Sequence, residues 1–216
     1  MNKRKVLALA LVVCIIAILA CGTLAYFTDS ADVTNKFYTA SYKPDDPIPD
    51  PDELFSIVVF ETAPDGSETT EGIEYADILP GDVLDKDPTV RNTGDYAAWV
   101  RLSVTLTNAA EWKAACETHG IEDLAEIFGG FNSAWERKAI EENTTEDTLT
   151  YVYYLKDALA PDAESTLFET VTIPEDLTTT EFAKLSYFEL QIAGDAIQSA
   201  NTGDSAFEAF EAHWKG

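Results

Sequence analysis

Histidine and cysteine are scarce in these 216 residues, and their scarcity removes most enzyme chemistry. There are two histidines, His119 and His213, and three cysteines, Cys14, Cys21 and Cys116. No H-E-x-x-H pair is present, so the helix of a zinc protease cannot be built. Cys14 and Cys21 lie in an apolar N-terminal run, which leaves Cys116 alone in the remainder and excludes an intrachain disulfide there. Cys116 and His119 stand one turn apart on an expected helix, but nothing supplies the strained turn and oxyanion donors of a thiol nucleophile. Cys116 therefore reads as a small buried hydrophobe, and each histidine as a helix-end residue that caps or meets solvent. A glycine-rich phosphate loop and a nucleophile elbow are also missing. The expectation is no enzyme, with no catalytic, cofactor-binding or metal-ligating residues. The acidic stretches 45–53 and 174–181 lack the twelve-residue Ca²⁺-loop spacing. Weak Ca²⁺ binding is the one cofactor such a surface leaves open.

Positive charge is the next shortage. Lys and Arg number 14 against 39 Asp and Glu. Three of the 14 are Lys3, Arg4 and Lys5, and residues 1–25 hold no acid, so a chain beginning at Tyr26 carries −28. That charge disfavours nucleic acid and anionic lipid as partners. Hydrophobic residues make up 46%, too many for a disordered acidic tail.

What is present begins with a leader. MNKRK is followed by fifteen apolar residues, Val6–Ala20, and the small-residue patch CGTLA. These are the three parts of a secretory signal. Thr23 and Ala25 fit the −3 and −1 pockets, so residues 1–25 form the signal peptide and cleavage frees Tyr26. Two alternatives stand beside it. The charge-free run to Phe27 is long enough to remain as a membrane anchor with its lysines inside, and ILAC is a loose lipobox that would lipidate Cys21. Any membrane contact is expected only through the uncleaved N-terminal segment.

Residues 26–53 form a second region. YFTDSADVTNKFYTASY reads as an extended segment with apolar contacts at Phe27, Val33 and Phe37. KPDDPIPDPDE, with Pro44, Pro47, Pro49 and Pro51, reads as a polyproline spacer of about 34 Å. Residues 54–216 form the body. Strands are expected over 54–61, 72–82, 83–95 (broken at Pro88 and so at an edge), 96–107, 131–140, 148–157, 167–175 and 185–193. Over 96–107 the alternation is clearest, with Trp99, Arg101, Ser103 and Thr105 on one face and Ala98, Val100, Leu102, Val104 and Leu106 on the other. Helices are expected over 109–120 with Asn108 as cap, over 121–130, and over 204–214. The fold class is all-β, an antiparallel jelly-roll-like β-sandwich with short inserted helices.

GTLAYFTD, followed by Asn35 and Phe37, resembles the export signals cut by the specialised signal peptidase SipW. ILPGDVLDKDPTVRNTGDYAAWVRLSV and FELQIAGDAIQ are similar to segments of the TasA and camelysin (CalY) family. The Pro-Asp spacer departs from that pattern, as does the lack of a long charged C-terminal tail. The resemblance implies a secreted jelly-roll protein at the surface or in the biofilm matrix of a Gram-positive-type bacterium. It implies self-association into fibres, with residues after Ala25 serving as a donor strand that adds to a neighbour's sheet edge. Phe27, Val33 and Phe37 would set its register. The alternatives are a camelysin-like surface metalloprotease, for which no metal-binding motif exists, and a monomeric membrane- or lipid-anchored adhesin.

Overall fold

The computed structural model describes residues 28–30, 56–185 and 187–214, the first three as backbone only. It is mostly β, with strands in three antiparallel sheets and a few short helices. The strands are β1 (Thr28–Ser30), β2 (Ile57–Thr62), β3 (Glu68–Thr69), β4 (Val83–Asp85), β5 (Thr89–Asn92), β6 (Ala98–Thr107), β7 (Phe128–Gly129), β8 (Trp135–Asn143), β9 (Thr148–Leu155), β10 (Glu164–Thr166), β11 (Thr170–Thr172) and β12 (Leu190–Gln198). The helices are α1 (Ala109–Thr118), α2 (Thr179–Lys184) and α3 (Ala206–His213), with one 3₁₀ turn at Leu124–Ile127.

The largest sheet runs β1-β12-β6-β9-β8. Its centre follows directly from alternation. Ala98, Val100, Leu102, Val104 and Leu106 of β6 enter the main core with Leu149, Tyr151 and Tyr153 of β9. Trp99 and the outward-pointing Val152, Tyr154 and Ile197 would be an exposed apolar stripe, but α3 covers them with Ala206, Ala209 and Phe210. The sheet is thus buried on both faces at its centre, which explains the run of buried residues from Tyr151 to Leu155.

A second sheet runs β10-β5-β2-β3 and a third β4-β11-β7. Pro88 splits the expected 83–95 strand into β4 and β5, because a residue without an N–H cannot continue a ladder. The halves join different sheets. β4 is an edge as expected, whereas β5 is interior. Buried Asn92 closes the following turn. Its Nδ2 donates to the carbonyls of Tyr96 (2.8 Å) and Leu159 (2.9 Å), and its Oδ1 accepts from Gly94 N–H (3.0 Å).

Other expectations change. Residues 72–82 form no strand. Asp77 adopts a left-handed φ of 56°, which breaks the extension, and the Tyr75 hydroxyl donates to the Asp85 carbonyl instead of a ladder forming. Asn108 does precede α1, but with φ 56° and no side-chain cap. Its amide donates to the Lys184 carbonyl at 3.0 Å, tying α1 to the end of α2. The helix expected over 121–130 shortens to the 3₁₀ turn, because β11 recruits Phe128 and Gly129 as β7. The strand expected over 185–193 begins at Leu190 and continues to Gln198. A capping box at Thr178 and Glu181 starts a helix that ends at Leu185.

Candidate functional site

The feature with most bearing on function is the outer edge of β12. On its inner side β12 pairs with β6 without interruption from Leu190↔Leu106 to Gln198↔Ala98. On its outer side β1 pairs only with the far end, Thr28↔Ile197, Asp29↔Ala196 and Ser30↔Asp195. Among the described residues no strand covers the outer side of Leu190–Gly194. Among the described residues, β12 is thus paired along its whole length on one side and at three positions on the other.

A cleft of about 1560 Å³ adjoins this edge. One wall is β12 from Leu190 to Asp195, with Tyr187 and Phe188 before it. Another is β2, with the irregular segment 69–78, and Phe182 and Leu185 contribute from α2 and its end. At Gly194 the walls meet. A Cβ there would lie 2.5 Å from Val59 Cγ2 and 3.2 Å from Leu102 Cδ2, so β2 approaches β12 only because that residue has no side chain. Leu190 and Ile192 face the same way as Gly194 and pack against the main core.

The one charge within β12, Asp195, is neutralised. Arg101 Nε donates to Asp195 Oδ2 at 2.8 Å, and its guanidinium lies 4.7 Å from the ring centres of both Phe210 and Trp214. The helix α3 is thus tied to the strand that β1 pairs with. Tyr75 in the cleft wall has its phenol pushed up to about 12, by burial first and then by the charges of Glu61, Asp85 and Asp87. Deeper still, Lys86 Nζ donates to Glu61 Oε1 at 2.5 Å, with both residues buried.

The expected cleavage residues Thr23, Ala25 and Tyr26, and the expected donor-strand contacts Phe27, Val33 and Phe37, lie outside the described residues. Between them, Thr28–Ser30 correct one expectation. The resemblance implies a strand that adds to a neighbour's sheet, whereas these three residues pair with the chain's own β12. Sequence reasoning also missed the Glu61–Lys86 pair and the half-covered edge. Lys86 sits between two aspartates and looks like any exposed lysine. The uncharged run LQIAG was the one available signal for an edge awaiting a partner.

His119 caps the end of α1, with Nε2 3.2 Å from Glu181 Oε2, and His213 ends α3. Cys116 is buried, and burial pushes its thiol up to about 11, so it is a poor nucleophile. Among the described residues no three His, Cys, Asp or Glu side chains gather to hold a metal ion, and no helix is long and apolar enough to cross a membrane. Comparison of the chain with known protein families, with curated proteins and with solved structures returned no match.

Proposed function

We propose that this chain is an exported structural protein of the TasA-like kind. Its mature form assembles into extracellular fibres by exchanging its N-terminal strand, after a SipW-type peptidase has cut at Ala25. The observation that carries the reading is the outer side of β12, which among the described residues is paired by Thr28–Ser30 alone. We further propose that the three sheets are a jelly-roll-like sandwich whose open seam is the cleft.

In a monomer the tail fills part of its own edge. Assembly replaces it with the tail of a second copy, in the same register. That register sets Ala31 opposite Gly194, Val33 opposite Ile192 and Asn35 opposite Leu190. Strand side chains alternate between faces, so Phe27, Val33 and Phe37 share one face, the one that turns toward the cleft with Ile192. Backbone hydrogen bonds give affinity, and these three side chains give register. Each copy donates at one end and accepts at another. Such head-to-tail contacts build filaments where the rotation does not close.

Self-pairing is intramolecular and competes with exchange at every protein concentration. Exchange therefore depends steeply on protein concentration. It also works against a mature charge of −28, so cations such as Ca²⁺, or acid, speed it by screening. The same charge disfavours nucleic acid as a partner.

The test compares a chain starting at Tyr26 with one starting after residue 42. The first is expected to form filaments and the second to remain folded and monomeric. Filaments from the shortened chain would overturn the reading. In cells, Ala25→Arg is expected to block processing, read as the intact leader by mass spectrometry, because the −1 pocket rejects a long cation.

A further inference from the structure

We infer that Glu61 and Lys86 are the site of a self-catalysed covalent cross-link, an amide between the Glu61 carboxyl and the Lys86 side-chain nitrogen. The inference is independent of the strand-exchange reading.

The fold holds the two groups where this bond would form. Glu61 lies on β2 and Lys86 on the bend between β4 and β5, and they are 6% and 7% exposed. Nζ is 2.5 Å from Oε1. The flanking residues lock the approach. Thr62 donates from its backbone N–H (2.7 Å) and its hydroxyl (2.6 Å) to the two carboxylate oxygens of Asp87, and Lys86 N–H donates to the Glu169 carbonyl at 3.0 Å. These bonds fix the backbones on which the two side chains stand.

The electrostatics favour the same chemistry. A buried ion pair is sustained only when its remaining lone pairs and protons are also satisfied. Here Glu61 Oε2 is buried and has no hydrogen-bond partner among the described residues. An amide carries neither charge and keeps only one of the two oxygens.

The step balances without any co-reactant. A proton passes from the Lys86 ammonium to the Glu61 carboxylate across the short contact, giving an amine and a carboxylic acid. The nitrogen lone pair attacks Glu61 Cδ to form a tetrahedral centre. The C–O bond to the hydroxyl breaks, and that hydroxyl leaves with a proton from nitrogen as water. One C–N bond has formed, one C–O bond has broken, and nothing is oxidised or reduced. The product staples β2 to the β4–β5 bend, in a body whose single cysteine, Cys116, excludes a disulfide.

The test is the intact mass of the purified chain. The expected result is a species lighter than its sequence by one water, whose digest contains a branched peptide joining Glu61 to Lys86. Glu61→Ala and Lys86→Arg should each return the mass to that of the sequence. A full sequence mass in folded protein held for days would overturn the inference. A water loss that maps elsewhere, in particular to Asp65–Gly66, where an aspartate can cyclise, would overturn it equally. The result on the unaltered chain decides the matter, so a variant that fails to fold does not affect it.

Discussion

Along β8 the outer edge of the large sheet carries Glu136, Arg137, Lys138, Glu141 and Glu142, and its ladder to β9 shifts between Arg137 and Ala139. Along β12, at the other side of that sheet, the sole charged residue is Asp195, which Arg101 neutralises, and the ladder to β6 is unbroken. Dense charge and a bulge are how proteins blunt a strand edge against further pairing. β8 has both, and β12 has neither beyond the three positions that β1 takes. The difference teaches that an edge is judged by its guards as well as by its exposure. Ile140 on β8 is 53% exposed yet sits among charges, whereas Ile192 on β12 is partly buried in the wall of the cleft.

The largest effect is expected from moving a guard to the unguarded edge. Ile192→Lys should abolish filament formation by electron microscopy while leaving the circular dichroism spectrum intact. Ile140→Lys should change neither. Equal loss in both variants would erase the distinction between the edges. Next in size, deleting Lys138 removes the extra residue of the bulge and restores a regular ladder. With Glu141→Thr added, light scattering should report lateral association that the unaltered chain does not show.

A third experiment reads stability. Gly194→Ala forces a methyl group against Val59 and Leu102, and overpacking of this kind costs about 1–3 kcal/mol in denaturant titration. Ile140→Ala on the guarded edge should shift stability by less than about 0.5 kcal/mol. The smallest effect concerns acid. The Glu181 carboxyl is lowered to about 2, first by the Thr178 hydroxyl, then by the Thr178 N–H and by His119. A lowered folded value means its stabilisation of α2 is complete above the unfolded value, near 4.3, and is lost as pH falls toward 2. α2 leads into β12 and not into β8. Amide exchange between pH 4 and 2 should therefore rise at 179–185 before it rises at 135–143, and Glu181→Gln should remove that early rise.

Legibility from sequence followed the reach of each interaction. β6 was readable because both faces are decided by its own alternation, and α3 because a serine cap precedes an amphipathic turn. The start of β12 was not. Leu185, Phe188 and Leu190 suit a strand, but Leu185 is the C-cap of α2 and the ladder to β6 starts only at Leu190. Residues 72–82 alternate well enough for a strand, yet among the described residues only Gly81 and Asp82 exchange backbone hydrogen bonds with another strand's end, at Ile173. Whether a segment finds a neighbour is a tertiary fact. The candidate site divides the same way. An uncharged β12 run could be seen in LQIAG, but that Thr28–Ser30 pair with its far end depends on register. The meeting of Glu61 with Lys86 depends on the path of the chain around Pro88.

Strand exchange is tested most directly by cross-linking across the β1–β12 pair. Asp29 and Ala196 are directly opposed. Cα atoms of opposed antiparallel residues lie about 4.5–5.5 Å apart, within disulfide range. The double variant Asp29→Cys, Ala196→Cys should be assembled under reducing conditions, then oxidised and run on a denaturing gel. Exchange predicts a ladder of covalently linked chains that reductant collapses to monomer. Monomers alone, each closed by its own internal bridge within well-formed filaments, would contradict it.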